Sequence, residues 1–269
     1  MKQYKRVLAI AGSDSGGGAG IQADIKAISA CGCFATTAIT AITSQNTLGV
    51  TDIHPIPIAS LKSQITAVLS DIGSDSVKIG MLHNAEAIVA VEEVLSKFEI
   101  KNSVLDPVMV ATSGNTLLEN EAIDTLKKVL IPKARIITPN IPEAEILLGE
   151  KINGQEDLPK KAEKLAGLYQ VSVLLKAGHL KDDELIDVLY NAETDEIKEF
   201  KSKRIYSKNT HGTGCTLSSA LAAFIAKGYD LNTSVQKAKD YINEAIIAGA
   251  DYTIGKGHGP VHHFYKFWK

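Results

Sequence analysis

Three thiols, Cys31, Cys33 and Cys215, are the whole cysteine supply of this chain. The number is odd, and the Cys31-Gly32-Cys33 spacing fits neither a redox dithiol nor a zinc pair. That excludes a disulfide framework and points to a reduced, cytoplasmic protein. Charge of neither sign is in excess: 29 Lys and Arg face 31 Asp and Glu, a formal net charge of −2. The balance gives no electrostatic reason to expect nucleic acid or a membrane surface as partner. No apolar stretch approaches the roughly 18 residues of a membrane span. Val7–Ala11, behind the basic Met1–Arg6, is too short for the roughly 7–15-residue core of a secretion signal. Several catalytic signatures are also missing. There is no His-Glu-x-x-His, no zinc quartet, no Gly-x-Ser-x-Gly elbow, no Walker A loop and no clean dinucleotide fingerprint. With no repeat, low-complexity tract or Pro/Ser-rich linker, residues 1–269 are expected to form one domain.

What is present is an ordinary globular composition, 45% hydrophobic and 22% charged over 269 residues. A chain of this size buries enough surface to need no disulfide or metal staple. Short apolar runs alternate with longer amphipathic ones. Strands are predicted at Val7–Ala11, Ala35–Ile42, Ser76–Ile79, Ser103–Leu105, Arg135–Thr138 and Val171–Leu175. They are rich in Val, Ile, Leu and Thr without strict polar alternation, which suits a sheet covered on both faces. Helices are predicted at Gly20–Ala30, Ile58–Ile72, Ala85–Lys97, Glu119–Leu130, Pro142–Leu148 and Asp157–Leu168. The alternation predicts an α/β fold with a central, mostly parallel β-sheet flanked by helices on both faces. Beyond residue 184 the rhythm changes. Leu185–Tyr190 and Glu196–Phe200 around the polar Asn191–Asp195 predict a small antiparallel edge hairpin, and helices follow at Gly214–Lys227 and Thr233–Asp251.

Five segments carry chemistry. Gly12-Ser13-Asp14-Ser15-Gly16-Gly17-Gly18-Ala19-Gly20 joins the first strand to the first helix. Glycines there let backbone approach a ligand at the crevice where open α/β sheets bind. Asp24, one turn into that helix, is placed to reach back toward the crevice; the plain alternative is a solvated helix charge. His211-Gly212-Thr213-Gly214-Cys215-Thr216 opens a helix, and its first-turn N–H groups and dipole make an anion site. Cys215 in that turn is expected to have a lowered pKa and to serve as thiolate or base, against the alternative of a small buried hydrophobe. Asp106, in Asp106-Pro107-Val108-Met109, ends an apolar strand where it can meet a ligand or a metal's water shell. Thr138-Pro139-Asn140-Ile141-Pro142-Glu143 reads first as a helix start, with Asn140 the cap and Glu143 at the capping-box position. Lys176, in Lys176-Ala177-Gly178-His179, is a strand-tip cation able to neutralise phosphate, or else an ordinary surface lysine.

In this order the segments resemble the ribokinase-like kinases, and within them the hydroxymethylpyrimidine/phosphomethylpyrimidine kinases of thiamine biosynthesis. The resemblance runs from about Val7 to the Gly257–Phe264 tail. It implies the ribokinase-like form of the fold, a homodimer, ATP with Mg²⁺ as phosphoryl donor, and a small pyrimidine alcohol phosphorylated twice in succession. A pyridoxal or pyridoxine kinase of the same fold is the alternative. On the pyrimidine side it implies Gly12, Asp24, Gln45, Met81 and Val108. On the nucleotide side it implies Asp106, Asn140, Lys176, Thr213 and Lys239, with Glu143 and Asp106 near the metal. Gly212, Thr213, Gly214 and Lys176 would stabilise the moving charge, and Cys215 would be the base where much of the superfamily has Asp. Gln45 follows a strand end, and a primary amide can pair with both the ring nitrogen and the exocyclic amine of an aminopyrimidine. Ala177 departs from the pattern, where the family often shows a second glycine before His179; a small loss of loop freedom is expected.

Overall fold

A computed structural model describes residues 2–109 and 120–268. Among these, nine strands form a single sheet in the order β3-β2-β1-β4-β5-β6-β7-β8-β9. The strands are β1 (Arg6–Asp14), β2 (Phe34–Asn46), β3 (Gly49–Pro55), β4 (Ser76–Ile79), β5 (Ser103–Leu105), β6 (Ile136–Ile137), β7 (Ser172–Leu175), β8 (Glu184–Asn191) and β9 (Glu196–Lys203). The helices are α1 (Gly20–Ala30), α2 (Ile58–Ala67), α3 (Ala85–Lys97), α4 (Asn120–Thr125), α5 (Ile141–Leu148), α6 (Leu158–Tyr169), α7 (Thr213–Ala226) and α8 (Leu231–Gly249). Strands β2, β1, β4, β5, β6 and β7 run parallel, and the expected hairpin, β8–β9, closes one edge antiparallel.

Alternation along β1 shows why its Val7–Ala11 stretch is apolar without a break. Leu8 and Ile10 pack into one core with Leu61 and Ile65 of α2, Ile88 of α3 and Leu165 of α6. Val7 and Ala9 pack into the other, with Ile28 of α1, Leu221 of α7 and Val235 of α8. Each face is a separate apolar layer, so neither can be polar.

Strands β1 and β2 run on to Asp14 and Asn46, past the expected Ala11 and Ile42, so Gln45 lies inside β2 and not beyond its end. The structure differs from the sequence expectation in four further places. A second antiparallel edge, β3, pairs with β2; its exposed Thr51, Asp52 and His54 hide it from a hydrophobicity reading. The helix expected over Ile58–Ile72 ends at Ala67 and continues as one π-turn, Val68–Ile72. The next helix begins at Asn120 and changes to a π-turn at Leu126–Leu130; its expected first residue, Glu119, lies outside the described residues. The fourth difference is Asp24. It does not reach the crevice but is fully buried, with both carboxylate oxygens on Lys78 Nζ at 2.7 and 2.9 Å and the Ser219 hydroxyl donating at 2.7 Å. Lys78 stands in the middle of the short apolar β4, and a buried ammonium requires a carboxylate. Burial lowers the Lys78 pKa, but Asp24, with help from Cys215 and Asp106, more than reverses that and holds the ammonium charged.

The Asp24–Lys78–Ser219 group ties α1 and α7 to β4. Removing one partner strands a buried charge, so Lys78→Met is expected to cost about 3–5 kcal/mol, whereas Asp24→Leu with Lys78→Met should recover most of it. Urea unfolding of both variants is the check. A Lys78→Met protein as stable as the parent would show that the pair does not seat the helices.

Candidate active site

The chain leaves β1 for β2 on one side and returns to β4 on the other, so a crevice opens at the carboxyl ends of the strands. A cavity of about 990 Å³ occupies it, room for a nucleotide and a second small molecule together. All but one of the residues expected at the site from sequence line this cavity: Gly12, Gln45, Met81, Val108, Asp106, Asn140, Glu143, Lys176, Gly212, Thr213, Gly214, Cys215 and Lys239. Asp24 is the exception, under the floor.

One end is small and partly apolar. Met81 packs with Ala41, Ile53 and Val108. A Cβ on Gly12 would come within 2.9 Å of the Met81 methyl carbon, so the glycine makes room for that side chain. Gln45 and Thr43 stand beside it. Asp14 organises the glycine-rich loop: its carboxylate accepts the N–H groups of Gly16 at 2.8 Å, Gly18 at 3.0 Å and Ala19 at 2.8 Å, and lies 2.9 Å from His211 Nε2. Burial works against its charge, but His211 and these donors hold its pKa below the ordinary carboxylate value.

At the other end α7 begins. Gly212 has φ of 76°, and a Cβ there would run into the carbonyl of Gly18, so this turn requires glycine. Gly214 does not have positive φ. A Cβ there would stand at ordinary contact distance, 3.4 Å from Asp106 Oδ2 and 3.5 Å from Lys176 Nζ. In the first turn of α7 the Thr213 N–H donates to the Thr210 carbonyl at 3.3 Å, and Gly214 and Cys215, which line the cavity, stand where a helix leaves its N–H groups without intrahelical partners. Lys176 Nζ is 3.0 Å from Asp106 Oδ1, which also accepts the Thr138 hydroxyl at 2.8 Å. Burial opposes both charges, yet each partner holds the other ionised: the Lys176 pKa is raised and that of Asp106 lowered. Asn140 and Glu143 form the expected capping box, both bonds 2.9 Å long. Burial pushes the Glu143 pKa up to about 7; Lys176 works against that rise and Asp106 adds to it. Lys239 is not a free cation, since its ammonium sits 2.6 Å from Asp187 Oδ2 while Asp187 Oδ1 accepts the Ala177 N–H at 2.7 Å.

Cys215 needs correction in its electrostatics. The helix start led us to expect a lowered pKa. Burial instead pushes it up to about 11; Lys78 and a hydrogen bond from the Gly20 N–H favour the thiolate, while Asp24 and Asp106 oppose it. The helix-terminus effect is worth about 1 kcal/mol at the surface, less than desolvation of a buried thiolate.

Sequence reasoning passed over four residues. Asp14 and His211 were inside the noted motifs but had no visible partner, being 197 residues apart. Lys78 is the one charge of β4, and Asp187 stands between Ile186 and Val188 inside β8; a charge flanked by apolar residues within a strand is the signal that could have exposed them. No three His, Cys, Asp or Glu side chains cluster as a metal cage among the described residues.

The model of the family described as phosphomethylpyrimidine kinase matches residues 14–262. The chain belongs to that family. It is 46% identical to the hydroxymethylpyrimidine/phosphomethylpyrimidine kinase of Rhizobium meliloti, over 97% of this chain and 98% of that one. The crystal structure of phosphomethylpyrimidine kinase from Clostridium difficile is 44% identical with a TM-score of 0.80, over 90% of this chain and 99% of that one. A pyridoxal kinase from Staphylococcus aureus, in complex with AMP-PCP and pyridoxal, is 31% identical with a TM-score of 0.88, over 99% and 96%. The architecture is therefore the ribokinase-like one that the motif order implied, and the chain is a kinase.

Glu143 carries a pH signature in its stability. Its folded pKa is about 7 against an ordinary 4.5. The folded state holds the extra proton between those values, so the contribution is full below about 4.5 and is lost as pH rises through 7. A Glu143→Gln variant keeps the bond to the Asn140 N–H and has no charge to bury. Its melting temperature should match the parent near pH 4.5 and exceed it by roughly 5 °C at pH 8. Parallel melting curves for the two proteins across that range would contradict the burial argument.

Proposed function

We propose that this chain transfers the γ-phosphoryl group of ATP to 4-amino-5-hydroxymethyl-2-methylpyrimidine, then phosphorylates the resulting monophosphate to the diphosphate, within thiamine biosynthesis. One observation carries the proposal: Gln45 with Met81 and Val108, and Cys215 on the α7 anion loop, line the same cavity. The first group suits a small aminopyrimidine, and the second suits the hydroxymethyl group and the phosphate it attacks. The backbone likeness to pyridoxal kinase keeps that activity as the second reading. The higher identity to pyrimidine kinases and the amide at Gln45 place it behind.

Phosphoryl transfer asks for positioning and neutralisation of charge. The N–H groups at Gly212–Cys215 would receive the oxygens of the moving phosphoryl group, and Lys176 would add a point charge. Asn140, Thr213 and Lys239 would line the nucleotide's side. Asp106 and Glu143 fit an Mg²⁺ ion carried in by the nucleotide and met through its waters. Both carboxylates already accept protein hydrogen bonds and have no third anionic companion among the described residues, the donor set of an ion held chiefly by phosphate and water. The ion would neutralise phosphate charge. Cys215 would take the hydroxymethyl proton. The thiolate fraction in the unliganded cavity is small, and a loose transition state releases that proton late. In the second reaction the attacker is already an anionic phosphate and needs little base. The same reading includes a cytoplasmic homodimer; the three free thiols fit a reducing compartment.

ADP release that depends on the added pyrimidine alcohol tests the activity. Cys215→Ala should slow the first phosphorylation by roughly 10²–10⁴-fold and the second much less. With its pKa near 11, Cys215 ionises progressively as pH rises, so the first step should accelerate between about pH 7 and 9 in the parent and stay flat in the variant. Near-normal alcohol turnover by Cys215→Ala would remove the base role.

A further inference from the structure

Around Gln45, hydrogen-bond donors face one another. Asp14 accepts three backbone N–H groups and is ionised. An ionised carboxylate accepts and does not donate. His211 Nε2, 2.9 Å from Asp14 Oδ2, therefore carries its hydrogen in either charge state of the ring, and a ring nitrogen that carries hydrogen has no lone pair to offer. Yet the Gln45 amide nitrogen lies 3.3 Å from that same Nε2, donor against donor. On the amide's other side the Thr43 hydroxyl is 3.1 Å from Gln45 Oε1, but its one hydrogen already has the Ser13 carbonyl at 2.9 Å. A half-turn of the amide removes both conflicts. Its oxygen then faces the His211 N–H, whose single hydrogen it shares with Asp14 Oδ2, its nitrogen donates to Thr43 Oγ, and no two donors are left facing each other.

We propose that Asp14 and His211 lock the Gln45 amide in this turned orientation, and that the lock makes the site accept a 4-aminopyrimidine and reject its 4-oxo counterpart. The proposal rests on the reading of Gln45 as the group that meets the ring's hydrogen-bonding edge. A free glutamine is ambidextrous. Turned one way it pairs with an amine donor beside a ring-nitrogen acceptor, as in a 4-aminopyrimidine. Turned the other way it pairs with a carbonyl acceptor beside a ring N–H, as in the 4-oxo lactam. With the amide oxygen fixed on the His211 side, the amine lies toward His211 and the ring nitrogen toward Thr43. The oxo compound needs the amide nitrogen back against the His211 N–H, and the site forbids that. Asp14 and His211 are thus positioning residues for specificity. His211 also precedes the Gly212 turn, and its N–H donates to Gly259 O at 3.0 Å, which fixes its backbone independently of the ring.

The test compares kcat/KM for the 4-amino alcohol and its 4-oxo analogue, by ADP release, in the parent enzyme, His211→Phe, Asp14→Asn and Gln45→Met. The parent should prefer the amino compound by at least about 100-fold, the scale of two mismatched hydrogen bonds. His211→Phe keeps a flat ring without the N–H, so the preference should fall at least tenfold through a gain on the oxo analogue. A general structural lesion would lose both substrates alike. Asp14→Asn lets His211 present a lone pair and should reduce the preference in the same direction. Calorimetry on the parent needs no variant: equal affinity for the two compounds would overturn the lock. A preference lost in Gln45→Met but intact in His211→Phe and Asp14→Asn would overturn the lock and leave the reading of Gln45 standing. A preference untouched in Gln45→Met would overturn that reading, and the lock with it.

Discussion

The ion pair between Lys176 and Asp106 joins the tips of β7 and β5 beside the start of α7, and it represents the constraint under which the whole cavity is built. A site that is to receive phosphate must hold cations, and cations inside a protein must be paired before any ligand arrives. Lysine–aspartate pairs therefore recur along the crevice. Lys78 and Asp24 lie 2.7 Å apart beneath the floor, Lys176 and Asp106 3.0 Å apart at the strand tips, and Lys239 and Asp187 2.6 Å apart on the wall. Lys78–Asp24 holds α1 to β4 and Lys239–Asp187 holds α8 to β8, while Lys176–Asp106 joins two strand tips, so these charges also hold helices to the sheet. Within each pair the charges cancel before any ligand arrives, and the lysines are already oriented.

Close approach is the second constraint, and it follows from the first. The loop after β1 and the turn before α7 touch where Gly212 meets the Gly18 carbonyl. A side chain at Gly212 would part them. Asp14 reinforces the junction, because it binds its own loop through three N–H groups and the other loop through His211. The pyrimidine end and the phosphate end are thus built against each other, which suits a reaction whose two reactants must be held in contact.

Much of this was legible in the sequence, and the exceptions have a common cause. The apolar strands, the β8–β9 hairpin and the Asn140–Glu143 capping box depend on local pattern and appear where expected. The β3 edge carries too little apolar surface to announce itself. The fate of Asp24 depends on Lys78, 54 residues away, and no local pattern reports that pairing. The acidity of Cys215 failed in the same way. Its position at a helix start is local, but its burial and its neighbours Asp24 and Asp106 are properties of the assembled fold. A charge flanked by apolar residues inside a strand, as at Lys78 and Asp187, is the sequence feature that carries most hidden information here.

The central claim is that these paired charges and the glycine turn serve phosphorylation of an aminopyrimidine alcohol. Phosphorus NMR of the products formed when the enzyme is given ATP, Mg²⁺ and an equimolar mixture of that alcohol and pyridoxine addresses it directly. The account predicts a pyrimidine monophosphate resonance that appears first and converts to a diphosphate, with pyridoxine phosphate a minor product. Pyridoxine phosphate as the main product, with no pyrimidine diphosphate, would contradict it.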